Sequence, residues 1–386
     1  MSNFQSKKHL DKSISVLIPD GESHLLGFVV NCLSSVQEIK IHVLSSIKQN
    51  AHRFSRHIST FSYYPKTDND QKWIKYIEET VQKYKIDIVM PVFEIGIRRV
   101  IKNRSLFNAN INLVSLPNLE TFTTAINKWK LIEHCRSQNI AIPDSCLLYP
   151  EDQNKKKALS NLTFPVILKP LEGFGGGMGI KDFNTIEEVE VYLDKIKYPV
   201  LVQQFIKGYD IDCSVLVEDG DIIAFTIQQG NLKGSEPFMP QVGVKFTYNE
   251  ELYKVVEELM ESLHWNGVAH IDMRYDTTLN NFVVIEVNPR YWATMDGSYL
   301  MGVNFPYLAV LQARREVFEV PKYKQDDYLN LKGVVKKTKK NPLFSLRWNF
   351  IYNNTQLRFV LLDPIPTVFK FIDRTKNIIL KKIKGR

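Results

Sequence analysis

Cysteine is scarce in this chain. Its four cysteines, Cys32, Cys135, Cys146 and Cys213, lie far apart among 386 residues and form no CxxC pair. They read as reduced, mostly buried thiols, which excludes a zinc knuckle and a disulfide framework. No run of eighteen uncharged apolar residues occurs, so a membrane-spanning helix is not expected. The opening residues, MSNFQSKKHLDKS, lack the apolar stretch of a secretory signal, and a cytoplasmic location is expected. Neither an internal repeat nor a low-complexity segment is present. Neither GxxxxGK[ST] nor GxGxxG occurs, which removes support for P-loop, kinase-type and Rossmann dinucleotide sites.

What is present is the composition of a soluble globular protein, 44% hydrophobic and 24% charged, and long enough for two or three domains. The net charge of +8 is unevenly spread. Residues 321–386 hold 16 Lys+Arg against 4 Asp+Glu, or +12, so residues 1–320 carry 34 against 38, or −4. A basic body would suggest nucleic acid; here the body is slightly acidic, and the tail brings no helix-turn-helix, zinc or RNP pattern, so no nucleic-acid partner is expected.

The first stretch alternates buried strands with helical patterns: SVLIPDG (residues 15–21), IKIHVLS (39–45), DQKWIKYIEETVQKYK (70–85) and IDIVMPV (86–92). This order predicts a parallel, helix-covered sheet, whose strand ends single out Asp20, Gly21 and Glu94 as ligand positions or as simple turns. One helix is expected over residues 117–139. FPVILKP follows as a buried strand, then the glycine cluster LEGFGGGMGIK (171–181), a helix, two or three strands with Asp219-Gly220 as a hairpin turn, and a helix over 250–264.

Two patterns bear chemistry. The glycines bunched behind the strand that ends in Lys169 suit a loop whose bare N–H groups cover phosphate, with the lysine ammonium beside it. Further on, HIDMRYD and VVIEVNPRYW flank the short polar turn TTLNN. Period-two alternation places Asp272, Glu286 and Asn288 on one face of an antiparallel pair, an oxygen set that suits Mg²⁺. Charges among Ile and Val are costly unless paired or metal-bound.

Taken in order, Lys128 on a helix, the strand-KP and glycine loop, the QQFIKGYD segment and Glu-x-Asn-Pro-Arg resemble the ATP-grasp superfamily over roughly residues 14–310. The resemblance is to its carboxylate–amine ligase and carbamoyl-phosphate-synthase-like branch, including D-aspartate ligase-like carboligases. It implies an α/β fold with an N-terminal parallel-sheet domain (residues 1–120), a linker helix and glycine-loop lid (121–205), a metal-binding lobe (206–320) and a basic extension (321–386). It further implies that Lys128, Lys169, Gly175, Gly176, Gly177 and Gly179 contact ATP phosphates. Gln203, Gln204, Phe205 and Ile206 would form the adenine hinge, with Asp210 on the ribose. Two Mg²⁺ ions would sit on Asp272, Glu286 and Asn288, while Arg290 stabilises an acyl phosphate. The implied reaction activates a small-molecule carboxylate with ATP and joins it to an amine. Phosphotransfer to a small acid, and nucleotide binding without turnover, are the alternatives. Two positions depart from the family pattern: Gln204 stands where a carboxylate is frequent, and Asp272 where Glu is commoner.

His270 reads as a hydrogen-bonded structural histidine, and Arg274 as a partner for a carboxylate or a substrate acid. Lys245, Gln228 and Gln229 lie on a strand that could face substrate. In the tail, Val368, Phe371, Ile372, Ile379 and Ile383 recur at helical spacing among basic residues. Such a helix suits docking on the body or on a second subunit as a homodimer, with burial of Trp348, Phe350 and Tyr352. The same helix also suits peripheral contact with the inner membrane surface.

Overall fold

A computed structural model describes residues 13–152, 154–171, 179–234 and 239–384. The chain divides into two compact units: residues 1–116, 290–324 and 328–386, and residues 117–289 with 325–327.

The first unit is built on five parallel strands, β1 (Ile14–Ile18), β2 (Ile39–Ser45), β3 (Ile58–Tyr63), β4 (Ile88–Val89) and β5 (Asn112–Leu113), in the order β3-β2-β1-β4-β5. Val16, Leu17 and Ile18 are fully buried, as in a sheet covered on both faces. The helix Asp70–Tyr84 shows how local sequence sets an element. Asn69 accepts the Lys72 N–H at its start, Trp73, Ile74, Ile77 and Thr80 form its buried face, and Lys85 ends it in a left-handed conformation at φ 51°. The apolar run at 86–92 forms a strand of only two residues; Met90 and Val92 are buried beyond it.

Residues 290–324, which the sequence division groups with the metal-binding lobe, fall in this first unit. The reason is packing. Helices Met295–Met301 and Phe305–Ala313 lie against the helix Leu26–Leu33, with Trp292 edge-on to Phe305 at 4.8 Å. Between them Asp296 is fully inaccessible, and the Asn31 amide donates to both of its carboxylate oxygens at 3.2 and 3.3 Å. Burial drives the Asp296 pKa well up, against the pull of hydrogen bonds from Asn31 and Gln356.

The second unit holds two antiparallel sheets. The smaller contains β6 (Ser145–Leu148), β7 (Val166–Pro170), β8 (Lys181–Phe183) and β9 (Val200–Gln204) in the order β6-β9-β7-β8. Its core of Leu148, Val166, Leu168 and Val202 is closed by Val189 and Leu193 of the helix Ile186–Leu193. In the larger sheet, β10 (Gly208–Glu218), β11 (Asp221–Leu232), β12 (Gly243–Thr247), β13 (Gly267–Asp276) and β14 (Asn281–Asn288) follow the order β14-β13-β10-β11-β12. The β10–β11 turn has positive φ at both Asp219 (49°) and Gly220 (96°), the backbone that an Asp-Gly hairpin selects. The helix Glu250–Ser262 buries Leu252, Val256, Leu259 and Met260 against the sheet core formed by Ile211, Cys213, Val215, Ile271 and Val287.

The single helix expected over 117–139 is two, Leu119–Ile126 and Lys128–Ser137. Asn127 breaks it. Its backbone is extended (φ −90°, ψ 108°) and its side chain accepts the N–H groups of Trp129 and Lys130, so the second helix starts afresh with Lys128 in its first turn.

Candidate active site

Strand alternation on the larger sheet sends Ile211, Cys213 and Val215 of β10 to the core and Asp210, Asp212 and Ser214 to the other face. Register then aligns three acids across three strands, since Asp212 pairs with Asp272 and Asp272 pairs with Glu286. Beside them His270 pairs with Asn288. The β13–β14 ladder is irregular at this point: Met273 opposes Val284 while Asp272 opposes Glu286, so Ile285 is one residue extra. That bulge lets Val284 and Val287 both face the core although they are three apart, and leaves Glu286 on the polar side.

The expected cluster therefore forms. Asn288 Nδ2 lies 3.3 Å from Asp272 Oδ2 and 3.4 Å from Glu286 Oε1. Acids facing one another across a ladder repel unless a cation intervenes. Here Lys128 Nζ is 3.5 Å from Glu286 Oε2. Burial alone would raise the Glu286 pKa, but Lys128, the Asp272 hydrogen bond, Lys169 and Asn288 outweigh it and hold the carboxyl at about 2. Lys169, at the end of β7, is 4% exposed and donates to Gln203 Oε1 at 2.8 Å; Gln203 in turn donates to Ser145 Oγ at 3.2 Å. Burial lowers the Lys169 pKa to about 8, with Glu286 and Asp272 opposing the shift and Lys128 adding to it.

Asp210 is fixed from two sides. Arg274 forms an ion pair with it through Nη1, and Gln241 Nε2 donates to it at 3.1 Å. Arg274 also donates to the carbonyls of Ile206 (3.2 Å) and Gly208 (3.0 Å), tying the hinge to β13. Within the hinge, the Gln204 N–H is bonded to Asp144 O and the Phe205 N–H to Pro165 O; Gln204 is partly exposed and Ile206 is buried. His270 lies between Ser214 Oγ (2.9 Å) and Asp272 Oδ1 (3.2 Å), orienting the acid from behind. Lys245 is exposed, Gln228 buried and Gln229 partly buried on the far strands. Gly179 adopts φ +79°, which glycine favours. Gly175, Gly176 and Gly177 lie outside the described residues.

The residue that sequence reading passes over is Asp212. Burial first, then Asp210, raises its pKa to about 8, while Gln228 and the Met273 backbone hold it down. Its signal was available: Asp212 alternates with Asp210 along an otherwise apolar strand. Asp212, His270 and Asp272 offer donor atoms all within 4.8 Å of one another. A hard cation would nevertheless prefer the all-oxygen set of Asp272, Glu286 and Asn288, in which the Glu286 pKa is held low. For that the Asn288 amide turns its oxygen inward, a choice of O over N that hydrogen bonding to a metal-free pair does not fix.

In the first unit the strand-end residues behave differently. Asp20 is buried and its carboxylate accepts the N–H groups of Val92 (3.0 Å) and Phe93 (2.8 Å) at the start of the helix Glu94–Lys102. It is thus a brace rather than an open ligand position. Gly96 allows this, since a Cβ there would lie 2.4 Å from Asp20 Oδ2. Burial raises the Asp20 pKa to about 7. Arg290 belongs to this unit, where Nε contacts Glu94 Oε1 at 3.0 Å and the guanidinium lies 5.8 Å above the Phe93 ring.

The ATP-grasp domain family matches residues 125–294, the span containing every residue of this cluster. The segment is an ATP-grasp domain. Among curated relatives, the chain is 26% identical over 220 residues to a D-aspartate ligase of Enterococcus faecium, covering 52% of each protein. It is 21% identical over 296 residues to a D-alanine–D-alanine ligase of Acetivibrio thermocellus, covering 68% of this chain and 76% of that one. The chain thus spans about half the length of the D-aspartate ligase it matches. Likeness of fold extends beyond the matched segment. An L-amino acid ligase from Bacillus licheniformis superposes with TM-score 0.58 at 17% identity over 81% of this chain and 75% of that one. An N5-carboxyaminoimidazole synthetase from Staphylococcus aureus, complexed with ADP, gives 0.64 at 16% over 86% and 87%. No helix among the described residues is long and apolar enough to cross a membrane.

Proposed function

We propose that this chain is an ATP- and Mg²⁺-dependent ligase that joins a carboxylate to an amine. One observation carries the reading: two acids and an amide converge on one face of a β-ribbon beside the buried Lys169 and the partly buried Lys128, inside an ATP-grasp domain. Lys128 and Lys169 meet the nucleotide phosphates, Gln203 to Ile206 line the adenine and Asp210 takes the ribose. Asp272, Glu286 and Asn288 would hold Mg²⁺, which supplies charge neutralisation on the transferred phosphoryl group.

The chain's own groups do the positioning. Lys169, buried and held by Gln203, keeps its ammonium on a fixed line and draws the γ-phosphoryl oxygens away from ADP. The substrate carboxylate oxygen bonds to the γ-phosphorus as the bond to the ADP oxygen breaks. The amine then attacks the acyl carbon, inorganic phosphate departs with the C–O bond electrons, and the amine loses a proton. No protein nucleophile is needed, and burial drives the pKa of each of the four cysteines up.

The relatives named as D-aspartate, D-alanine–D-alanine and L-amino acid ligases direct the substrate search to amino acids. The test is ADP release over pairs of D- and L-amino acids, with bicarbonate as a separate arm. ADP release that needs both an acid and an amine, with formation of the joined product, supports the ligase. Release with bicarbonate alone would replace it by small-acid phosphorylation, and tight ATP binding without ADP release by a non-catalytic nucleotide-binding role.

A further inference from the structure

The C-terminal segment splits into a docked part and a bare part. In the series of short helices after residue 330, Phe344, Ile351 and Phe359 provide the buried contacts. Trp348, expected to be buried, is 56% exposed, while Phe350 and Tyr352 are partly buried. The helix Pro364–Lys384 is fastened on one side. Phe369 packs on Phe54 at 5.0 Å, Lys370 Nζ lies 2.9 Å from His52 Nε2, and Pro366 is buried.

A neighbouring stripe of the same helix is left uncovered. Ile365, Val368 and Ile372, at i, i+3 and i+7, share one side, with Phe371 next to it at 72% exposure. Ile379 and Ile383 continue the spacing, although their side chains lie outside the described residues. Leu343 and Leu346 are also bare, at 69% and 76%. Apolar side chains exposed in such number are unusual for a surface that meets only water.

Charge selects the occupant. The stripe is embedded in the segment that carries 16 Lys+Arg against 4 Asp+Glu, and the adjoining helix Leu331–Lys340 alone brings Lys332, Lys336, Lys337, Lys339 and Lys340. A symmetric dimer through this face would bring two +12 segments together. A second copy is therefore disfavoured, and a polyanionic surface with an apolar layer beneath it is matched on both counts. Because no described helix is apolar enough to span, the geometry points to one that lies flat. We propose that the C-terminal segment seats this enzyme on an anionic lipid surface, with Ile365, Val368, Phe371 and Ile372 entering the acyl boundary and the lysines meeting headgroups.

Vesicle flotation of the full chain tests this, using phosphatidylcholine alone and phosphatidylcholine with about 30% phosphatidylglycerol; attraction is expected to anionic lipid, weakening as salt shortens the screening length. Phe371→Ser with Ile372→Ser should abolish flotation without unfolding, since both residues are exposed, and circular dichroism checks the fold. Replacing Lys337 and Lys340 by Gln should weaken binding about fivefold per charge. Equal flotation on both vesicle types, no flotation on either, or unchanged flotation of the Phe371/Ile372 variant would overturn the proposal. A light-scattering mass of a dimer that this variant converts to monomer would assign the face to a second copy instead.

Discussion

Asp296 in the first unit and Glu286 in the second are both carboxylates drawn away from bulk water, and their surroundings drive them in opposite directions. Asp296 has no accessible surface, its partners are neutral amides, and its pKa rises. Glu286 keeps a quarter of its side chain accessible, is answered by Lys128 and Lys169, and its pKa falls. Burial is the largest cause acting on each, so the difference lies in the compensating charge. An acid that only has to join helices is best uncharged. On the proposed function Glu286 meets a cation, and an acid with that task must stay ionised before the cation arrives; Lys128 and Lys169 nearby keep it so.

The strongest challenge to this contrast is Glu286→Gln. It keeps the shape and removes the charge, and ADP formation should drop by on the order of 10²–10³-fold, as for loss of one charge-stabilising group. Turnover at the wild-type rate, measured with saturating Mg²⁺, would place the chemistry elsewhere.

Asp296→Asn sharpens the other side. A folded-state pKa raised above the unfolded value of about 3.8 means that the native form binds the extra proton. The stability contributed by the protonated acid is complete below that unfolded value and is lost as pH rises toward the folded pKa. Over that window wild type should lose stability from this group as pH rises, and the variant should not. Urea midpoints of the first unit at pH 5 and 8 would reveal it; parallel profiles for both proteins would show that Asp296 is not the buried neutral acid described.

The smallest effect is expected at the break before Lys128. Asn127→Ala removes a cap worth about 1 kcal/mol and loosens the lysine that opposes Glu286. KM for ATP should rise several-fold with little change in kcat. An equal loss in both would mean that the cap serves stability alone.

Much of this was legible in the residues. Period-two spacing put Asp272, Glu286 and Asn288 on one face, and that face exists because core demands on Ile271 and Val287 leave the polar side no alternative. Asp-Gly at 219–220 predicts the hairpin for a local steric reason that tertiary contacts do not override. Other features depended on distance. Nothing in a periodic run from 117 to 139 warned that Asn127 would cap rather than continue, since an asparagine is tolerated in either role. Asp20 looked available because its buried hydrogen bonds come from residues seventy-two and seventy-three positions away. Trp348 was assigned to the interior on hydrophobicity, and Phe344, Ile351 and Phe359 took those places.

Ile285 shows how little a strand needs in order to bend. A regular ladder without it would still set Glu286 opposite Asp272, because the next residue after Val284 falls there by simple counting. Its contribution is therefore curvature rather than alignment, since one extra residue in a strand of an antiparallel pair bends that strand and increases its local twist.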